Sequence, residues 1–302
     1  MGKVLVVCGA TASGKTSLAV RCAKQLNSEI ISADSMLIYQ GLDIGTAKPT
    51  IEERDGVVHH LIDVAKVQES FSVSDYEKMA LPIVERLLDE GKTPIICGGT
   101  GFYIQSLLYK SQFGNVGANA EIRAKYEELA KEHGNAHVHA ILCEKDPESG
   151  TKLHENDLKR VIRALEIYDT TGKAKSLQQD EYKPRFDFLA VSIDYPRETL
   201  YERINSRVEQ MFDEGLMDEV RNLLACGLDE TCQCMQGIGY KEVVEGLKEN
   251  WSIEEIKELI KKNTRNYAKR QLTYFKRMEN HIKLAPEEAS AEKVIQLLQE
   301  NK

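Results

Sequence analysis

The stretch Val4-Leu5-Val6-Val7-Cys8-Gly9-Ala10-Thr11-Ala12-Ser13-Gly14-Lys15-Thr16 decides the fold of this 302-residue chain. Its first five residues form a continuous apolar run, β-branched in part, which suits a buried strand of a parallel sheet. Gly9 to Thr16 then spells G-x-x-x-x-G-K-[ST], and Thr16 to Leu26 carries Leu18, Ala19, Cys22, Ala23 and Leu26 at helical spacing. Strand, glycine-punctuated loop and helix, in that order, are the setting in which this motif binds phosphate. The loop turns backbone N–H groups inward and the helix N-terminus adds partial positive charge. Lys15 adds a full charge, and the Thr16 hydroxyl can ligand Mg²⁺. Gly9, Ala10, Thr11, Ala12, Ser13, Gly14, Lys15 and Thr16 are therefore the candidate diphosphate- or triphosphate-binding residues, with Thr16 the candidate metal ligand.

Outward from the loop, Glu29–Asp34 and Thr93–Cys97 read as further short strands, Val73–Gly91 as a helix between them, and Leu189–Ile193 as a later strand. The alternation predicts an α/β fold, a P-loop-type parallel sheet flanked by helices. Near Phe113 the character changes. Gly114-Asn115-Val116-Gly117 is loop-like, and Asn119 to His133 is charged and helical. The expected division is a core over 1–112, a smaller, mostly helical insertion over about 113–144, and a continued core with C-terminal helices over 145–302.

Apolar residues make up 42% and charged residues 29%, with a net charge of −8, which excludes a uniformly basic nucleic-acid binder but not a local basic patch. One such patch exists. Lys257 to Arg277 carries eight cations against the single acid Glu258, a local charge of +7, with Tyr267, Tyr274 and Phe275 interleaved. This is the expected footprint of phosphate-backbone binding, and equally that of a surface helix with an apolar stripe; both can hold on opposite faces. The seven cysteines are scattered without a CxxC pair, as expected for free thiols in a reducing, cytoplasmic compartment. The first apolar run is too short for a signal peptide, and none approaches the roughly 20 residues that span a bilayer, so no membrane association is expected. His59-His60 has no third ligand at metal spacing.

Asp34 ends the second strand, at the sheet edge where an α/β protein binds its ligand. A carboxylate there can support a metal, act as a general base, or merely cap a turn. Thr100 ends the third strand and enters the same crevice, unless it only caps the following helix. That strand closes on Gly98-Gly99, where an NTPase usually carries an acid, which weakens a phosphoryl-transfer reading. Arg160 and Arg163, spaced i, i+3 beside Lys159, share one helix face, either for a ligand or paired with Asp157 and Glu166.

The segment Asp34-Ser35-Met36-Leu37-Ile38-Tyr39 through Lys48-Pro49 resembles the tRNA dimethylallyltransferases, also called tRNA isopentenyltransferases. So do His59-His60-Leu61-Ile62-Asp63, Gly98-Gly99-Thr100-Gly101-Phe102-Tyr103 and Asn156 to Glu166. Gly215-Leu216 with Glu219-Val220, Gly239-Tyr240-Lys241 and Arg265 to Gln271 complete a series that runs in order from about Val4 to Met278. The resemblance implies transfer of a dimethylallyl group from dimethylallyl diphosphate to the N6 amine of the adenosine beside the tRNA anticodon, with Mg²⁺. It implies catalytic roles for Asp34 as general base, Lys15 and Thr100. It also implies contact of the tRNA anticodon stem-loop with Asp34, Ser35, Met36, Leu37, Thr100, Arg123 and the run Lys159, Arg160, Val161, Ile162, Arg163. Leu37 stands where the family generally has Gln, Ala10 where Pro is common, and Glu155 where Pro is common. The chain ends without the zinc finger of eukaryotic relatives, as in the bacterial form, and a monomer is expected. A small-molecule kinase, a prenyltransferase acting on free AMP, and a non-catalytic RNA-binding protein are the alternatives.

Overall fold

A computed structural model describes residues 3–110, 117, 119–177 and 183–300. The expected loop residues Gly114, Asn115 and Val116 lie outside the described residues. Six strands are formed: β1 (Lys3–Cys8), β2 (Ile30–Ser32), β3 (His59–His60), β4 (Ile95–Gly98), β5 (Asp187–Ile193) and β6 (His281–Leu284). The helices are α1 (Lys15–Leu26), α2 (Ile51–Arg54), α3 (Val73–Asp89), α4 (Gly101–Leu108), α5 (Ala120–His133), α6 (Asn135–Lys145) and α7 (Pro147–Lys152). They continue with α8 (Leu158–Thr171), α9 (Arg197–Asp213), α10 (Leu216–Ala225), α11 (Tyr240–Glu249), α12 (Ile253–Phe275) and α13 (Ala291–Glu300).

The strands make one sheet in the order β3-β2-β4-β1-β5-β6, with every pair parallel. Both faces are covered, which is why β1 is apolar from Val4 to Cys8. Val4, Val6 and Cys8 pack on one face with α3, α4, α10 and α11, through residues such as Val84, Ile104, Val220 and Val243. Leu5 and Val7 point to the other, against Leu18 and Cys22 of α1 and Val294 and Leu298 of α13. The parallel α/β fold read from the sequence is present. Two edge strands are additions to it: β3 is two histidines, and β6 has three of its four residues partly or fully exposed, so neither shows an apolar run. In β3, His60 meets Glu29 at 2.6 Å, beside Arg86, and His59 hydrogen-bonds the Val57 carbonyl.

The chain forms two compact units, one of Met1–Tyr109 with Pro184–Lys302, the other of Lys110–Lys183. The second is helical and extends well past Glu144. Val161, Ala164 and Leu165 of α8 share one apolar core with Tyr126 of α5 and Val138 and Leu142 of α6. Helix α8 has an apolar stripe but no local signal of which layer it joins; only its packing partners decide that.

For the site, the decisive feature is β4 lying between β1 and β2. The phosphate loop after β1 and Asp34 after β2 therefore flank the Gly98–Gly101 turn after β4.

Candidate active site

The phosphate loop is shaped by two left-handed residues, Ala12 (φ 61°) and Gly14 (φ 82°), the latter at the N-cap of α1. Gly14 adopts this conformation freely, whereas Ala12 does so against its Cβ, a local strain of the kind that collects at ligand sites. The Lys15 ammonium turns back onto the Ala10 carbonyl (3.3 Å). Burial lowers its pKa, while the Cys97 thiol and the Asp34 carboxylate work to raise it. The Ser13 hydroxyl is buried without a hydrogen-bond partner, a donor in want of an acceptor oxygen. Arg203 of α9 donates to the Ala12 carbonyl at 2.8 Å and stacks on Tyr195, 4.8 Å from guanidinium to ring. Beside the loop opens a cleft of about 1130 Å³ lined by Lys15, Thr16, Lys48, Arg203 and Arg207 among others.

On the other flank, β2 and β4 approach so closely that a Cβ at Gly98 would run into the Ala33 backbone. Ala33 N–H donates to the Cys97 carbonyl (2.8 Å), and Thr100 N–H to the Ala33 carbonyl (3.0 Å). Asp34 follows directly. One of its oxygens accepts the Met36 N–H at 3.0 Å, so Asp34 caps the turn in which it stands at the carboxyl end of β2. Its charge acts on Lys15, on Arg207 of α9 and on the Tyr267 phenol of α12. Burial lowers the Arg207 pKa and Asp34 opposes that. Burial, helped by Asp34, pushes Tyr267 up to about 12, so it stays a hydroxyl donor, in hydrogen-bond contact with Thr100 and Gln271.

Lys15, Asp34 and Thr100 are thus brought together as the sequence expected, with Thr16 on the first turn of α1. Arg203, Arg207, Tyr267 and Gln271 were not foreseen as site residues. Tyr267 and Gln271 stand i, i+4 inside the basic segment, where their cationic neighbours masked them; Arg203 and Arg207 are i, i+4 on α9, a spacing that marks one face but no partner. Among the described residues no three His, Cys, Asp or Glu side chains form a metal cluster. The oxygen donors present, the Thr16 hydroxyl and the Asp34 carboxylate beside a phosphate cradle, suit a hard cation held partly by a bound phosphate.

The loop from Leu42 to Pro49 is latched from outside. The Glu219 carboxylate of α10 accepts the N–H groups of Asp43 (2.9 Å), Ile44 (2.8 Å) and Gly45 (3.1 Å), and the Tyr240 hydroxyl (2.6 Å). Lys48 donates to the Tyr39 carbonyl (2.9 Å) and pairs with Asp43 (2.6 Å) and Asp63.

The IPP transferase family model matches residues 37–278, four fifths of the sequence. The chain belongs to the IPP transferase family. It is 47% identical to a tRNA dimethylallyltransferase of Acetivibrio thermocellus, covering 99% of this chain and 96% of that one. A crystal structure of the tRNA delta(2)-isopentenylpyrophosphate transferase of Staphylococcus epidermidis superposes with a TM-score of 0.72 at 42% identity, over 100% and 98% of the two chains. A eukaryotic dimethylallyltransferase described as acting on tRNA superposes with a TM-score of 0.81 at 29% identity, over 95% of this chain and 74% of that one.

Within this family member, the residues that the resemblance assigned to tRNA divide. Asp34, Ser35, Met36, Leu37 and Thr100 line the turn just described. Leu37 is half-buried, and its carbonyl accepts the Asp63 N–H (3.1 Å). In the helical unit, the fully buried Glu166 gathers two of the arginines: Arg123 binds both its oxygens (2.8 and 3.0 Å) and Arg163 one (2.5 Å), with the Asn119 N–H at 2.7 Å. Burial works to raise the Glu166 pKa, and these hydrogen bonds outweigh it and hold the carboxyl below its ordinary value. Arg160 pairs with Asp157 (2.9 Å) and Lys159 is exposed. Val161 and Ile162 are buried, so their side chains belong to the core of the unit rather than to a ligand surface.

The basic helix α12 also divides. Lys257 and Lys261 are tied to Glu209 of α9 (2.8 and 2.5 Å), and Arg265 to Asn205 (2.7 Å). Lys262, Lys269, Arg270, Lys276 and Arg277 are exposed.

Proposed function

We propose that this protein transfers the dimethylallyl group of dimethylallyl diphosphate to the N6 amine of the adenosine beside the anticodon of tRNA, releasing diphosphate. The observation that carries the reading is the order of the central strands, which sets the phosphate loop after β1 and Asp34 after β2 on either side of the β4 turn, with the Ser35 N–H donating to the Thr100 hydroxyl across it. One side of it can hold a leaving pyrophosphate; the other offers a proton acceptor. In the reaction the allylic C–O bond breaks, a C–N bond forms, and the amine gives up one proton.

An allylic diphosphate ionises readily when its leaving group is stabilised. The inward N–H groups of the loop, the Ser13 hydroxyl and Lys15 supply fixed positive dipoles and charge for that purpose. Arg203 and Arg207 add cations from α9. Mg²⁺, bound through Thr16 and the diphosphate, would neutralise further negative charge on the leaving group. Asp34 takes the N6 proton, and Thr100 with Tyr267 orients the base beside it. An adenine in an unpaired loop can be swung out to reach them at low cost. The exposed cations of α12 suit a polyanionic acceptor, and seven free thiols suit a cytoplasmic setting.

A kinase usually carries an acid at the strand end that β4 occupies here, and its lack weakens that alternative. Gly98 leaves no room there for any side chain. The deciding experiment incubates purified protein with Mg²⁺, labelled dimethylallyl diphosphate and either unmodified tRNA or AMP. Label in tRNA is expected; label in AMP alone, or consumption of ATP without prenyl transfer, overturns the reading.

A further inference from the structure

Gln271 lies in α12, far in sequence from both the phosphate loop and β4, and is 5% exposed. Its Oε1 accepts the Thr11 N–H at 2.9 Å, and its Nε2 donates to the Gly99 carbonyl at 3.0 Å. The two ends of one amide thus join the loop after β1 to the turn after β4. The amide orientation is fixed, because an N–H demands the oxygen and a carbonyl demands the nitrogen. Gly99 makes room for it: a Cβ there would collide with Nε2. Thr100, the next residue, contacts Ser35 and Tyr267. A short rigid path therefore runs from the phosphate cradle through Gln271 and Gly99 to Thr100 and Asp34.

We infer that Gln271 is a positioning residue that holds the pyrophosphate cradle at a fixed separation from the acceptor side of the crevice. The inference rests on the transfer reaction proposed above. Gln271 touches neither reacting group; it sets the distance between the groups that do. The Thr11 N–H it occupies is withdrawn from phosphate binding, so the strut buttresses the loop and leaves the later N–H groups to the ligand. Misplacement of reacting groups by about 1 Å can cost on the order of 10²-fold in rate.

The test compares Gln271→Met, which has similar volume and none of the amide's hydrogen bonds, the contact with Tyr267 included, with Gln271→Glu, which keeps the acceptor and loses the donor until it is protonated. For Gln271→Met, kcat is expected to fall roughly 10- to 100-fold, more than any donor KM rises, with the tRNA KM unchanged. For Gln271→Glu, activity relative to wild type is expected to recover as pH falls, because the protonated carboxyl can again donate to the Gly99 carbonyl. Gln271→Met should show no such recovery. Affinity for inorganic pyrophosphate, measured by calorimetry on the same variants, should follow the same pattern without depending on the transfer reaction. If Gln271→Met fails to fold, the pH series on Gln271→Glu alone decides. A rise in tRNA KM with kcat intact, wild-type behaviour of Gln271→Met, or no acid recovery of Gln271→Glu overturns the role. Absence of prenyl transfer by the wild type overturns the functional reading instead, while the pyrophosphate measurements still judge the strut.

Discussion

The hydroxyl of Thr100 accepts the backbone N–H of Ser35 at 3.0 Å and caps nothing in its own helix. Thr100 occupies the N-cap position of α4, where a threonine ordinarily turns its oxygen onto the N–H groups of the first helical turn. Here it is spent across the sheet, on the residue after Asp34. The bond pins the carboxylate-bearing turn to the end of β4, and so holds still the group proposed above as the general base.

Asp34→Ala should therefore abolish chemistry and spare binding. Single-turnover prenyl transfer is expected to fall by on the order of 10²–10⁴, the range for loss of a general base. Pyrophosphate affinity should persist. Equal loss of both would show that the carboxylate serves the diphosphate rather than the amine.

Lys15→Met should lose binding and chemistry together. Its ammonium faces the cradle, so the donor KM should rise together with a fall in kcat on the order of 10²–10³, as for removal of one electrostatic stabiliser of a leaving group. Calorimetry with inorganic pyrophosphate should register the loss directly.

Glu219→Ala removes the one acceptor shared by the Asp43, Ile44 and Gly45 N–H groups and the Tyr240 hydroxyl. Leaving several such donors without their charged partner should destabilise the protein by about 1–3 kcal/mol. A denaturant midpoint unchanged from wild type would show that water replaces the latch without penalty.

Acid should loosen the helical unit through Glu166. Its pKa in the folded state lies below the ordinary value. The stability supplied by Arg123 and Arg163 is thus complete above the ordinary carboxylate range and is lost as pH falls through the folded value. Protection of the α5 and α8 amides, taken relative to the intrinsic exchange rate at each pH, should fall on going from neutral pH to about pH 3. Glu166→Gln should already be less stable at neutral pH and show less of this acid dependence.

Salt should separate the two halves of the basic helix. If the exposed cations meet phosphates, Lys269→Gln and Arg270→Gln should each lower the slope of log affinity for tRNA against log salt by about 0.7–1. Lys261→Gln, whose ammonium is engaged by Glu209, should leave that slope nearly unchanged. Filter binding across a salt series reads both, and equal slopes for all three variants would contradict the division.

The amino-acid sequence by itself determined the parallel α/β core, the phosphate loop and the station of Asp34. These depend on local pattern: an apolar run, a glycine spacing, a residue at a strand end. Tertiary structure alone decided the rest. Nothing local distinguishes Lys261, held by Glu209, from Lys262, left in solvent, or shows that Arg123 and Arg163 converge on one buried Glu166. Gln271 looks like any polar residue of a basic helix until the chain brings it across 260 positions to Thr11. Contacts between distant segments carry no periodicity, and so the strut, the latch on Glu219 and the arginines Arg203 and Arg207 beside the phosphate loop became visible only once the strands were laid side by side.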